Sequence, residues 1–171
     1  HKNKVMQYIE DGVASGAELV IDGREHPRTN DHKGFFLGPT LFDKVSTDMK
    51  IYLEEIFGPV LVLIRIKDFA EALEMINDHR FGNGVAIFTS NGGVAREFVN
   101  KVQIGMVGIN VAIPVPLSFY SFGGWKDSIY GSSNIYGMDG VRFFTQLKTI
   151  TTRWPNINES SPLDLSMPTV K

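Results

Sequence analysis

Six consecutive residues, Glu54-Glu55-Ile56-Phe57-Gly58-Pro59, concentrate much of the chemistry that this 171-residue chain offers. Two adjacent carboxylates ordinarily mark a solvated face. Here an aromatic ring and a Gly-Pro turn follow at once, a combination that fixes the backbone and can aim one carboxylate and one ring into a cleft. An aimed carboxylate suits a vicinal diol, because it accepts two charge-assisted hydrogen bonds. A second concentration lies downstream, where Pro114, Pro116, Phe119 and the run Ser121-Phe122-Gly123-Gly124-Trp125 fill a stretch with neither helical nor strand periodicity. Long irregular stretches are commonly functional, and so many aromatic residues argue against disorder.

Other chemistries are excluded by composition. The chain has no cysteine, so it offers no disulfide, no thiolate metal ligand and no cysteine nucleophile. Its four histidines (His1, His26, His32 and His79) form no HExxH or other paired helical spacing, and no metal site is expected. There is no phosphate-binding P-loop, no G-x-G-x-x-G after a strand and no G-x-S-x-G. The short glycine pairs, Gly82 with Gly84 and Gly105 with Gly108, read as turns and close packing. Asn158-Glu159-Ser160 is formally a glycosylation triplet, but such triplets arise often by chance.

Seventeen basic against nineteen acidic residues leave a net charge of −2, which gives no electrostatic case for nucleic acid or anionic membrane as a partner. The longest apolar run, residues 60–64, is far short of the roughly 20 residues that cross a bilayer. No signal or transit segment is read at the N-terminal end. The chain opens at His1 without an initiator Met, as expected of a chain processed or cut from something longer.

The elements that must position these residues follow from periodicity. With 43% apolar residues the chain can bury a core. Val5, Met6, Ile9 and Val13 form one helical stripe, and residues 17–21 read as a strand closed by an Asp22-Gly23 turn. Residues 26–33 read as an exposed loop, and 35–42 as an edge or bent strand broken by Gly38-Pro39. Residues 60–66 predict a buried strand. Asp68 and Glu71 form a helix-start signal ahead of Ala72, Leu73, Met75 and Ile76. A strand over 85–89, a turn at 91–93, a helix over 94–102 and a strand over 106–110 complete an alternation that predicts βαβ units, a mainly parallel sheet and an α/β fold. Residues 111–135 are irregular. Residues 141–154 regain strand character, with Phe143, Thr145, Leu147, Thr149 and Thr151 on one face, and a Pro- and Ser-rich tail occupies 155–171.

With the motifs in place, a family resemblance emerges. E-E-I-F-G-P-V (54–60) resembles the signature of the aldehyde dehydrogenase superfamily, and S-F-G-G-W-K-D-S (121–128) resembles its P-F-G-G-x-K-x-S loop, with Ser121 in place of proline. More narrowly, residues 105–126 (GMVGINVAIPVPLSFYSFGGWK) and 143–154 (FFTQLKTITTRW) are similar to the CoA-acylating methylmalonate-semialdehyde dehydrogenases. The likeness covers residues 3–154, and Ala112 stands where that subfamily usually has proline.

The resemblance implies a reaction in which a cysteine thiolate attacks an aldehyde, hydride passes to NAD, and coenzyme A takes the acyl group with release of carbon dioxide. The product is propionyl-CoA or acetyl-CoA. The family's catalytic cysteine and its nucleotide-binding domain lie upstream of residues matching His1, so no catalytic nucleophile is assigned in this chain, and the chain by itself is expected to be inactive. By resemblance Glu55 binds the nicotinamide ribose hydroxyls, Phe57 packs against the nicotinamide, and Phe122 flanks the reactive aldehyde. The loop holding Pro114, Pro116 and Phe119 forms the pocket wall. Arginines for the substrate carboxylate are not identifiable; Arg65, Arg80, Arg96 and Arg142 read as surface or structural residues.

The implied organisation is the C-terminal part of a catalytic domain (1–140), an oligomerisation strand (141–154) that joins copies into a homo-oligomer, and a tail (155–171). That tail resembles those of animal mitochondrial members, so a mitochondrial matrix location is expected. Two other readings stand beside this one: a non-catalytic, truncated chain acting in subunit association, and an unrelated α/β small-molecule-binding domain.

Overall fold

The computed structural model describes residues 1–30, 33–152 and 154. Its elements, in chain order, are α1 (Lys2–Ala14), β1 (Glu18–Ile21), β2 (Thr40–Asp43), α2 (Lys50–Leu53), β3 (Val60–Val62), α3 (Phe69–Asp78), β4 (Phe81–Gly82), β5 (Gly84–Ile87), α4 (Gly92–Lys101), β6 (Met106–Ile109), β7 (Trp125–Lys126) and α5 (Gly137–Phe143). A short 3-10 turn, Gly23–Glu25, follows β1 at the expected Asp22-Gly23 turn, and a second, Pro27–Asn30, occupies part of the stretch expected to be loop. Among the described residues no helix is long and apolar enough to cross a membrane.

The strands form three small sheets. β2 is central in the first, antiparallel to β1 and parallel to β3 with Thr40 opposite Val60. β5 and β6 run parallel on either side of α4, with Val85 opposite Val107. β4 and β7 form a short antiparallel pair in which Phe81 faces Lys126.

Two apolar cores hold these pieces. Tyr8, Ile9, Ala17, Phe42, Val45 and Ile51 form the first, between α1 and the β1–β2–β3 sheet. The buried face of α1 is Val5, Tyr8, Ile9 and Gly12, spaced i, i+3, i+4, i+7, while the expected member Val13 is 44% exposed. Gly12 belongs to this face because a Cβ there would come within 3.0 Å of both Ile51 and Phe42. Phe98, Val102 and Ile104 form the second core, packed by Phe69, Leu73 and Ile76 of α3 and by Val85, Ile87 and Val107 of the β5–β6 sheet.

The start of α3 matches its sequence signal, and the turn expected at 91–93 is the first turn of α4. The Asp68 carboxylate accepts the Glu71 N–H at 3.0 Å, and the Glu71 carboxylate accepts the Lys67 N–H at 2.6 Å. Asn91 caps α4 in the same way, accepting from Gly93 and Val94.

Several expectations are corrected. The strand expected over 35–42 starts only at Thr40, since Pro39 has no N–H for a ladder and restricts Gly38. The strand expected over 60–66 is Val60–Val62, with Leu61 61% exposed, and it pairs with β2 instead of β5. The two strands flanking α3 therefore lie in different sheets, and the parallel connections are β2–α2–β3 in the first sheet and β5–α4–β6 in its own.

The strand expected over 141–154 is also corrected in part. Residues up to Phe143 are helical in α5, which ends at Phe144, and residues 145–152 join no ladder. A β-rich segment becomes a strand only where a neighbouring edge supplies hydrogen bonds, and among the described residues none reaches it. Phe143, Phe144, Leu147, Ile150 and Trp154 are all exposed. Residue 153 and the tail over 155–171 lie outside the described residues.

Candidate functional site

The Glu54-Glu55 turn is braced from below by α1. The hydroxyl of Tyr8, on the buried face of that helix, donates to the Glu54 carboxylate at 2.5 Å. That bond, then burial, hold the Tyr8 hydroxyl above its ordinary pKa of 10.0. Four residues on, Gly58 lies so close to Val5 that a Cβ would sit 2.7 Å from the Val5 Cγ1. Ile56, between them, packs into the first core. The turn is thus pinned at Glu54, Ile56 and Gly58, and the alternate residues Glu55 and Phe57 project outward.

Those two residues are the ones singled out from the sequence. Glu55 is exposed, and among the described residues its carboxylate makes no hydrogen bond or ion pair. Phe57 is 72% exposed, and its backbone carbonyl is held by the His1 imidazole. An unengaged carboxylate on a fixed backbone retains its full acceptor capacity for a ligand.

The second motif is seated by glycines. A Cβ on Gly105 would come within 2.0 Å of the Gly123 carbonyl oxygen, so the Phe122-Gly123-Gly124 loop passes directly over the start of β6. This is the close packing expected of that glycine. Phe122 is half-buried, with its ring stacked on Tyr136 at 4.6 Å and 7°. Beyond the glycines, β7 pairs with β4, the Arg80 guanidinium meets Asp127 at 2.8 Å, and the Gly82 N–H donates to Ser128 Oγ at 3.1 Å.

The structure brings Glu55 together with this second motif. Glu55, Arg80, Phe81, Asp127 and Ser128 line one open cavity of about 700 Å³. Other expected residues lie elsewhere. Phe57 borders a separate cavity of about 380 Å³ with His1, Val5, Phe35 and Pro59. Pro114 packs against the backbones of Gly84 and Gly108, whereas Pro116 and Phe119 are exposed, Phe119 with its ring 4.5 Å from Tyr120. These three do not line the Glu55 cavity.

Sequence reasoning missed three residues that build the site. Tyr8 gave no signal, since its partner lies 46 residues away. Arg80 was read as structural, and it is, through Asp127, although it also lines the cavity. Lys126 was quoted within the S-F-G-G-W-K-D-S run and given no role. Its ammonium donates to the carbonyls of Asn77 at 2.7 Å and His79 at 3.0 Å, at the end of α3. Among the described residues no cluster of three or more His, Asp or Glu side chains could hold a metal ion.

Comparison with known proteins gives this geometry a context. The sequence pattern of the aldehyde dehydrogenase family matches residues 1–150. The malonate-semialdehyde dehydrogenase of Pseudomonas aeruginosa is 55% identical over 152 residues, which cover 89% of this chain and 31% of that protein. The crystal structure of a methylmalonate-semialdehyde dehydrogenase from Oceanimonas doudoroffii superposes with a TM-score of 0.87 at 48% identity, covering 91% of this chain and 32% of that one. An aldehyde dehydrogenase of Mycobacterium tuberculosis in complex with NAD+ superposes with a TM-score of 0.73 at 35% identity, over 85% of this chain and 29% of its own. The chain thus spans about a third of the length of the curated relatives it matches.

Proposed function

The chain belongs to the aldehyde dehydrogenase family, and from that premise we propose that it forms part of an NAD-dependent, CoA-acylating dehydrogenase of malonate or methylmalonate semialdehyde. The observation that carries the reading is the unengaged, exposed carboxylate of Glu55 on a turn pinned by Tyr8 and Val5. The names of the relatives support the semialdehyde as substrate, and a relative solved with NAD+ supports the cofactor. The acceptor role of coenzyme A, the loss of carbon dioxide and the products propionyl-CoA or acetyl-CoA rest on the sequence resemblance.

The donor set suits the nicotinamide half of NAD. Glu55 would accept hydrogen bonds from two neighbouring ribose hydroxyls and so orient the sugar. Phe57, whose ring is exposed on the same turn, would cover the nicotinamide and keep water from it. NAD, when bound, supplies the hydride acceptor for the aldehyde carbon. Phe122, fixed by its stack on Tyr136, contributes an apolar wall beside the aldehyde. The attacking thiolate is supplied from outside these 171 residues, which contain no cysteine.

The test is NADH formation by the full-length enzyme carrying this sequence, given either semialdehyde with NAD and coenzyme A, and mass spectrometry of the acyl-CoA formed. The expected result is CoA-dependent release of acetyl-CoA or propionyl-CoA, and no NADH from either semialdehyde would overturn the proposal. The 171-residue chain alone is expected to give none.

A second proposal concerns association. The exposed apolar residues between Phe143 and Trp154 support a homo-oligomeric contact through residues 141–154, and they equally favour a non-catalytic chain retained for subunit association. The length of the native polypeptide, read by intact mass or immunoblot, separates the two. The resemblance of residues 155–171 to the tails of animal mitochondrial members supports a matrix location, which cell fractionation tests.

A further inference from the structure

The carboxylate turn lies between α2 and β3 and the Phe122 loop leads into β7, yet both are tied to one helix end. The ammonium of Lys126 donates to Asn77 and His79 carbonyls at 2.7 and 3.0 Å, with Ile76 at 3.4 Å, where α3 leaves its last carbonyls unpaired. Lys126 does so from φ +53, a backbone conformation that disfavours a side chain and persists only when its surroundings fix it. On the other side of the same helix end, His79 Nδ1 accepts the Phe81 N–H at 3.1 Å. Nε2 therefore carries the proton and donates it to the Tyr52 carbonyl at 3.0 Å. The imidazole also meets the Tyr52 ring edge-on at 4.8 Å. Tyr52 lies in α2, three residues before Glu55. A path thus runs from Gly124 along the chain to Lys126, by hydrogen bonds to the end of α3 and from His79 to Tyr52, and along three residues of chain to Glu55.

We infer that Lys126 and His79 are positioning residues that set Glu55 against the Phe122 loop through the C-terminal end of α3. The kinetic part of this inference rests on the NAD-dependent reaction proposed above; the mechanical coupling does not. If Glu55 orients one reactant and Phe122 flanks the other, loosening the link leaves each ligand's own contacts intact and spoils their alignment. The cost then falls on kcat and leaves KM nearly unchanged.

The experiment uses the full-length enzyme with Lys126→Met, Lys126→Arg and His79→Phe, and Lys101→Met on the outer face of α4 as the control. Hydrogen exchange followed by mass spectrometry reads the coupling without substrate. Lys126→Met should accelerate exchange about tenfold in residues 76–82 and also in residues 52–58, with partial restoration by Lys126→Arg and no change in the control. Per active site, kcat should fall about ten- to a hundredfold while KM for NAD and semialdehyde changes less than about threefold.

Acceleration confined to residues 76–82 and 122–128 would overturn the inference, as would a lowered Tm with unchanged kcat per active site. If Lys126→Met does not fold, His79→Phe reads the link in reverse, and exchange in residues 122–128 must then rise. An unsubstituted enzyme that makes no NADH would refute the proposed reaction, and the exchange pattern would still decide this inference.

Discussion

The Tyr8 hydroxyl and the Glu54 carboxylate meet at 2.5 Å across 46 residues of sequence, and this contact assigns different duties to two adjacent glutamates. Glu54 is engaged by the core helix; Glu55, one residue on, faces outward with its carboxylate unengaged among the described residues. In the full-length enzyme, Glu55→Gln should leave Tm nearly unchanged and lower the NAD-dependent rate about ten- to a hundredfold, the usual cost of a lost charged acceptor. Glu54→Gln should lower Tm by several degrees and affect the rate less. Equal effects of the two substitutions on the rate, at equal Tm, would refute the division.

The same contact makes a prediction about alkaline pH. Tyr8 titrates above its ordinary value of 10.0 because Glu54 and burial favour the protonated phenol. A group whose folded pKa is raised contributes stability that is complete below the unfolded pKa and is lost as pH rises through the folded one. Tyr8→Phe should remove that alkaline loss of stability. Unfolding by urea between neutral pH and pH values above 10.0 checks it, and an unaltered pH profile in the variant would contradict the assignment.

Acid behaviour is set in part at the end of β2, the central strand of the first sheet. The Arg65 guanidinium, followed by the Lys44 backbone N–H, holds the Asp43 carboxyl down at about 2, against an ordinary value of 3.8. A depressed folded pKa gives stability that is present above 3.8 and lost as pH falls through about 2. Arg65→Met should raise the Asp43 pKa toward its ordinary value and start acid unfolding at a higher pH. Carboxyl-carbon NMR titration of the variant measures the shift directly.

What was legible in the sequence was local. Asn91-Gly92-Gly93 reads as a turn and proves to be the capped first turn of α4, whereas the helix start at Asp68 depends on a side chain that reaches three residues, so its spacing states it outright. The E-E-I-F-G-P turn was legible for the same reason. Strand pairing was less so. The apolar run beginning at Val60 announces a strand, but nothing in it states that the partner is β2 and not β5. The segment after Val141 has strand composition, yet a strand also needs an edge, and its first residues complete α5 instead. Lys126 was invisible as a cap, because its partners at Ile76, Asn77 and His79 are some fifty residues upstream.

Two glycines should respond oppositely to alanine. At Gly105 a methyl would lie 2.0 Å from the Gly123 carbonyl oxygen, which is backbone and has no side-chain rotation with which to yield. Gly105→Ala should cost about 1–3 kcal/mol and disturb the Phe122–Tyr136 stack, read in near-ultraviolet circular dichroism. At Gly92, in the first turn of α4, the nearest atom to an added methyl is the tip of Arg96 at 4.0 Å. Gly92→Ala should stabilise by about 0.5–1 kcal/mol. Similar losses at both positions would show that contact with the loop is not what fixes Gly105.

The last prediction concerns association through the segment that follows α5. Residues 145–152 carry backbone donors and acceptors without a ladder, and within them Leu147 (96% exposed) and Ile150 stand exposed among threonines, Gln146 and Lys148. Phe143 at the end of α5, Phe144 that caps it, and Trp154 (89% exposed) extend this apolar surface on either side of the segment. Burying five such side chains contributes roughly 1.5–3 kcal/mol each, a total of the same order as the cost of about 4–15 kcal/mol for joining two bodies, and ladder hydrogen bonds add to it. The chain should therefore sediment as a dimer or larger species at micromolar concentration, and deletion of residues 143–171 should shift it toward monomer. Because the contact is apolar, raising salt should not dissociate it. Identical sedimentation of the full and shortened chains would assign any association to another surface, and a monomer in both would remove the proposal altogether.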